Sequence, residues 1–138
     1  MPSDERKRPV SSGVLDASAL LALILGEPGG DRVASEVSGH YAAVSAVNLA
    51  EVVGRYCDLG APEAVVHAAI DPLRLDVIPF DAECAYRVAR LRPVTRRAGL
   101  SLGDRACLAL AQRLGLPALT MDRVWADLPL GIQILVMR

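Results

Sequence analysis

A chain of 138 residues holds one compact domain with its own core and is too short for two of ordinary size. Apolar types make up 52% of it, which excludes disorder beyond the ends, while aromatic types make up only 4%, so the core falls to Leu, Val, Ile and Ala. The net charge of −1 hides an asymmetry: fourteen of the fifteen basic residues are Arg, and eight of those lie between Arg87 and Arg123.

Met1 to Ser12 is polar and charged, with Arg6, Lys7 and Arg8 together, and reads as a flexible leader to a domain spanning 13–138. Gly13 to Leu15 is a short apolar strand that ends at Asp16, and helix formers follow from Ala17 to Gly26. Pro28, Gly29 and Gly30 mark a turn before a helix over Asp31 to Ser38, which Gly39 stops. Tyr41 to Ala46 is β-compatible, and Ser45 or Asn48 caps a helix reaching about Leu59. Pro62 opens another helix, interrupted at Asp71 and Pro72. Leu75 to Phe80 alternates as a strand, Asp81 caps a helix that Pro93 ends or kinks, and Ser101 begins one that runs to Leu114. Pro117 to Met121 is a strand, Asp122 starts a helical turn, and Ile132 to Met137 is a last apolar strand. Strands alternating with helices imply βα units, hence an α/β chain folded as a three-layer α/β/α sandwich around a mostly parallel sheet.

The longest apolar run, Ala17 to Leu25, falls well short of the ~20 residues that a membrane helix needs, and no signal peptide precedes it, so the chain reads as cytoplasmic. Cys57, Cys84 and Cys107 are odd in number and widely spaced, without a metal-finger pattern, and read as buried reduced thiols. The planar donor fork of Arg suits phosphate, so an Arg-rich segment beside acids hints at a phosphodiester substrate, although a solvated helix face is the plainer reading of charge alone.

Open parallel sheets form sites at the carboxyl ends of their strands. Asp16 and Asp122 follow two such ends, and Glu51 and Asp104 lie in helices that start near the same edge. Four converging acids suit a hard divalent cation and repel one another without it. Each also has an ordinary role. Asp16 and Asp122 are placed to cap helical turns, Ser101 with Asp104 has the spacing of a capping box, and Glu51 stands one turn from Arg55 as an exposed ion pair. His40 in a turn and His67 in a helix offer no catalytic base, and Gly26 to Gly30 follows a helix, so it is no phosphate loop.

The order Val14-Leu15-Asp16-Ala17-Ser18-Ala19, Asn48-Leu49-Ala50-Glu51-Val52, Leu100-Ser101-Leu102-Gly103-Asp104-Arg105-Ala106 and Leu119-Thr120-Met121-Asp122-Arg123-Val124-Trp125 resembles PIN-domain ribonucleases, specifically VapC-type toxins of toxin–antitoxin pairs. The resemblance implies a PIN-like fold with a central first strand, a magnesium or manganese site of Asp16, Glu51, Asp104 and Asp122, and endonucleolytic cleavage of RNA. It casts Asp16 and Asp104 as the main ligands, with Glu51 and Asp122 completing the site or orienting water, and Ser18 and Thr120 as lining hydroxyls. Asp127 is a nearby acid. It also implies a homodimer silenced by a cognate VapB-type antitoxin whose tail crosses the acids. The helices Ala17 to Gly26, Asp31 to Ser38 and Ala61 to Leu73 carry surplus apolar residues of the kind that mark an interface. An aspartyl-phosphate phosphatase would want a second Asp where Ser18 stands, and a receiver-like metal-binding domain would want a Lys near its last strand, whereas Lys7 is the sole Lys. An inactive metal-binding or interaction domain stays open as the alternative.

Overall fold

The computed structural model describes residues 11–138, so the basic cluster Arg6, Lys7 and Arg8 and most of the expected leader lie outside the described residues. Five strands, β1 (Ser11–Leu15), β2 (Tyr41–Ser45), β3 (Asp76–Ile78), β4 (Ala118–Thr120) and β5 (Ile134–Val136), form one sheet in the order β3-β2-β1-β4-β5. Every neighbouring pair is parallel. The α-helices among the described residues are α1 (Ala17–Leu25), α2 (Gly30–Val37), α3 (Ala46–Asp58), α4 (Glu63–Ile70), α5 (Ala82–Arg90), α6 (Arg92–Thr95) and α7 (Leu102–Leu114).

The period-two alternation of the strands sorts the core into two layers. Val14, Ala43 and Ala118 face one side, where they meet Val88 of α5, the α7 residues Ala106 to Ala111, and the fully buried Trp125. Leu15, Val44 and Leu119 face the other, against Leu20 of α1, Val33 of α2 and Val52 of α3. With only one Phe and one Trp available, close packing comes from small residues. Gly30 illustrates this: a Cβ there would stand 3.0 Å from the backbone carbonyl carbon of Ala22, so glycine lets α2 start directly against α1.

Local chemistry sets most boundaries. Asp16, Ser45, Asp81 and Ser101 cap α1, α3, α5 and α7 with side-chain oxygens, and left-handed Gly26 and Gly115 close α1 and α7. Pro93 does not merely kink a long helix: α5 stops at Arg90, and the proline falls in the first turn of α6, where its missing N–H is harmless. β1 begins at Ser11, two residues before the expected start, and pairs there with Tyr41. Of the three helices with surplus apolar residues, α1 leaves Leu25 exposed and α4 leaves Val65 exposed, whereas α2 exposes no large apolar side chain. A groove of about 660 Å³ separates α3 from α4 beside β3, walled by Leu49, Val53, Val66, Ile70 and Val77. Among the described residues no helix is long and apolar enough to cross a membrane.

Candidate active site

The chain leaves β1 for β2 and β3 on one side, then returns for β4 and β5 on the other, so the sheet's switch point lies between β1 and β4 at their carboxyl ends. Asp16 stands there, 3% exposed. Its Oδ1 accepts hydrogen bonds from the Ser18 hydroxyl and the Ala19 N–H, both at 2.7 Å, and its Oδ2 accepts from the Thr120 hydroxyl at 2.6 Å. Both hydroxyls are themselves fixed, Ser18 Oγ by the Met121 N–H and Thr120 Oγ1 by the Asp122 N–H, each at 3.0 Å. Burial pushes the Asp16 carboxyl up to about 6, against the three hydrogen bonds, with the negative charge of Asp104 adding to the rise. Asp16 is therefore both the cap of α1 and a buried carboxylate at the switch point.

Glu51 is exposed on α3 and does not pair with Arg55; the three ion pairs among the described residues involve His67 and Arg87 instead. The Glu51 Oε1 accepts from Asn48 Nδ2 at 2.9 Å, and the same nitrogen donates to the Gly103 carbonyl at 2.9 Å. Two acceptors on one side fix the amide orientation and leave Asn48 Oδ1 buried without a partner. Gly103 has the Glu51 carboxylate against its Cα: an added Cβ would meet Oε1 and stand 2.7 Å from Cδ. Local spacing offers Asn48 only as a helix cap and marks nothing at Gly103, because their contact spans 55 positions and no local rule shows it.

Asp104 completes the capping box with Ser101, whose N–H donates to Asp104 Oδ2 at 3.0 Å while Ser101 Oγ accepts from the Asp104 N–H at 3.1 Å. Its charge nevertheless reaches Asp16. Asp16, Asp104 and Glu51 all bear on the Cys107 thiol, which burial raises well above its ordinary value. Asp122 is not among those charges; it is exposed and turns its Oδ1 to the Val124 N–H at 3.0 Å, capping a 3-10 turn over Arg123–Asp127. Asp127 is exposed at the end of that turn. Thus three acids share one neighbourhood, and Asp122 joins it through its backbone bond to Thr120.

Of the cysteines only Cys107 is buried; Cys57 is exposed and Cys84 half-buried, so the expectation of three buried thiols holds for one, though all three are free. His40 is exposed, and His67 sits on α4 paired with Glu63 and Asp71.

The profile described as PIN domain matches residues 13–130. The chain belongs to the PIN-domain family. Its solved neighbours share the fold. This PIN domain superposes on a chain of the DNA-bound VapBC of Salmonella typhimurium with a TM-score of 0.71 at 24% identity, covering 91% of the present chain and 97% of the other. A toxin–antitoxin complex from Klebsiella pneumoniae gives 0.70 at 22%, with 92% and 98% covered. VapBC-5 from Mycobacterium tuberculosis gives 0.55 at 25%, with 94% and 99% covered. No curated protein sequence matches the chain.

PIN domains are generally nucleases that use divalent metals. Among the described residues no group of three His, Cys, Asp or Glu already stands as a ready metal cage. The donor chemistry fits a hard cation all the same. The candidate ligands are carboxylate oxygens, none is paired with an Arg, Lys or His among the described residues, and the buried Cys107 Sγ is turned toward the Val14 carbonyl.

Proposed function

We propose that this PIN domain is a magnesium-dependent endoribonuclease, with manganese able to substitute, and that it acts as the toxin of a type II toxin–antitoxin pair. The observation that carries the reading is Asp16: a buried carboxylate at the switch point, held by three donors, with Asp104 beside it and no cation paired to either. Asp16 and Asp104 would be the principal ligands, and Glu51 and Asp122 would complete the set or orient water. Bound magnesium would polarise a phosphodiester and lower the pKa of a water molecule. The chain's own task is to hold its carboxylates still. Ser18 and Thr120 fix both Asp16 oxygens, and Asn48 ties Glu51 to the start of α7, one residue from Asp104.

The test is cleavage of labelled single-stranded RNA in magnesium, in manganese and in excess EDTA, with Asp104→Asn beside the natural protein. Metal-dependent cuts that vanish in EDTA and in the variant support the nuclease. Metal binding without cleavage would leave the inactive metal-binding domain as the better reading.

For the partner, one solved neighbour is a toxin–antitoxin complex and another a member of the VapBC family of toxin–antitoxin systems, and the apolar groove between α3 and α4 suits the apolar face of a partner segment. A VapB-type antitoxin whose tail brings Arg or Lys to the unpaired acids would inhibit by replacing the cation's charge as well as by blocking access. A homodimer belongs to the same proposal.

A further inference from the structure

Two adjoining grooves, of about 330 and 370 Å³, share Ser18, Met121 and Arg138 as walls. Arg55 of α3 lines the first, Arg123 the second and Arg138 both, so the two grooves meet in a channel at the carboxyl edge of the sheet. Helix α3, the 3-10 turn after β4 and the segment after β5 supply these arginines, and none of the three forms an ion pair among the described residues. Arg55 follows Glu51 by one helical turn and so shares its face of α3. Ser18, common to both grooves, donates to Asp16 Oδ1 at 2.7 Å, so the channel passes one hydrogen bond from the buried carboxylate. Two acids also line it, Glu27 beside Arg55 and Asp122 beside Arg123, so the channel is not uniformly basic: cationic groups are spaced along it around an acidic point.

The geometry points to this channel as the path of a single-stranded RNA, with Arg55, Arg123 and Arg138 each contacting a phosphate on either side of the bond set over Asp16. The inference rests on the ribonuclease reading and assigns its substrate-positioning residues. The guanidinium fork engages phosphate oxygens in pairs and keeps its charge at any working pH, and unpaired guanidinium groups near acids suit a polyanion that must approach a carboxylate cluster. A mononucleotide would need one such group. Three spread along a channel fit a chain of phosphates.

The experiment uses the full chain and three variants, Arg55→Gln, Arg123→Gln and Arg138→Gln, alone and combined, with Arg90→Gln as a control on α5, across the sheet from α3. Binding of a fluorescent oligoribonucleotide is followed by anisotropy in EDTA over a range of salt, and cleavage is followed separately in magnesium. Each channel variant should raise KM several-fold with kcat within about twofold, and should lower the slope of log affinity against log salt by ~0.7, as expected for one lost contact to a single strand. The triple variant should lower the slope by ~2. Arg90→Gln should change neither. If RNA is cut but KM and the salt slope survive in the triple variant, the channel assignment falls and the ribonuclease reading stands. Equal loss in Arg90→Gln would mean diffuse charge attraction and would also overturn it. If the variants keep RNA affinity but lose a copurifying protein partner, the channel is a protein interface and the inference fails. If the natural chain neither binds nor cuts RNA, the ribonuclease reading fails first and takes the channel with it.

Discussion

Burial favours the neutral form of Asp16, and three hydrogen-bond donors favour its charge. Burial wins, since the folded pKa is about 6 against an ordinary 3.8. The folded state therefore holds the Asp16 proton more tightly than the unfolded state does. The resulting stability is complete below about 3.8 and is lost as pH rises through about 6, an effect on the order of 3 kcal/mol for this group alone. In EDTA, Asp16→Asn should consequently melt at or above the natural protein at pH 7.5, and the advantage should shrink as pH falls toward 4, while RNA cleavage in magnesium is abolished. A natural protein that melts higher than the variant at pH 7.5 in EDTA would show that Asp16 is not held against its charge. Gly103 gives a second prediction with the opposite separation. Gly103→Ala pushes aside only the flexible end of Glu51 and improves helix propensity, so the melting temperature should hold or rise, by up to ~1 kcal/mol in stability. Cleavage should drop by about tenfold or more, because small misplacements of positioned groups cost rate steeply. Unchanged cleavage in Gly103→Ala would mean that the Asn48-held position of Glu51 is irrelevant to activity. At this scale the acids were readable in the sequence because each follows a strand end or lies in a helix that starts near the same edge. The Asn48 to Gly103 bond was not, and Glu51 takes Asn48 as its partner where local spacing offered Arg55.

Among the elements, α7 carries the most buried residues and also Asp104, so its start is both a stability feature and part of the candidate site. The capping box there joins the two roles. Ser101→Ala removes the acceptor for the Asp104 N–H and should lower stability by ~1 kcal/mol in a denaturant melt. A loss below a few tenths would mean that water replaces the cap at no cost. Caps and stops written in the sequence set most helix ends within a residue or two, because those signals act over three or four positions. Strands were less legible: Ile132 to Met137 reads as a six-residue strand, yet pairing is confined to Ile134–Val136 against β4. Apolar composition marks where a strand can form, and the length of its neighbour decides how much of it pairs.

For the whole molecule, the proposed cation site predicts that metal binds the folded chain better than the unfolded one. Millimolar magnesium should raise the melting temperature, by an amount corresponding to ~2.7 kcal/mol once its concentration is a hundredfold above Kd, and EDTA should reverse the shift. A melt indifferent to magnesium and manganese would argue against the site. Composition and pattern by themselves determined the α/β class, the order of elements and the four candidate acids, because periodicity and capping are local properties of the chain. Only the tertiary structure decided that Thr120 closes on Asp16 across 104 positions, that Asn48 ties Glu51 to Gly103, that α2 hides its apolar face, and that Arg138 walls the same two grooves as Arg55 and Arg123. The reason is physical: those relations depend on which strands pair across long loops, a choice settled by packing of the two core layers together and visible in no single segment.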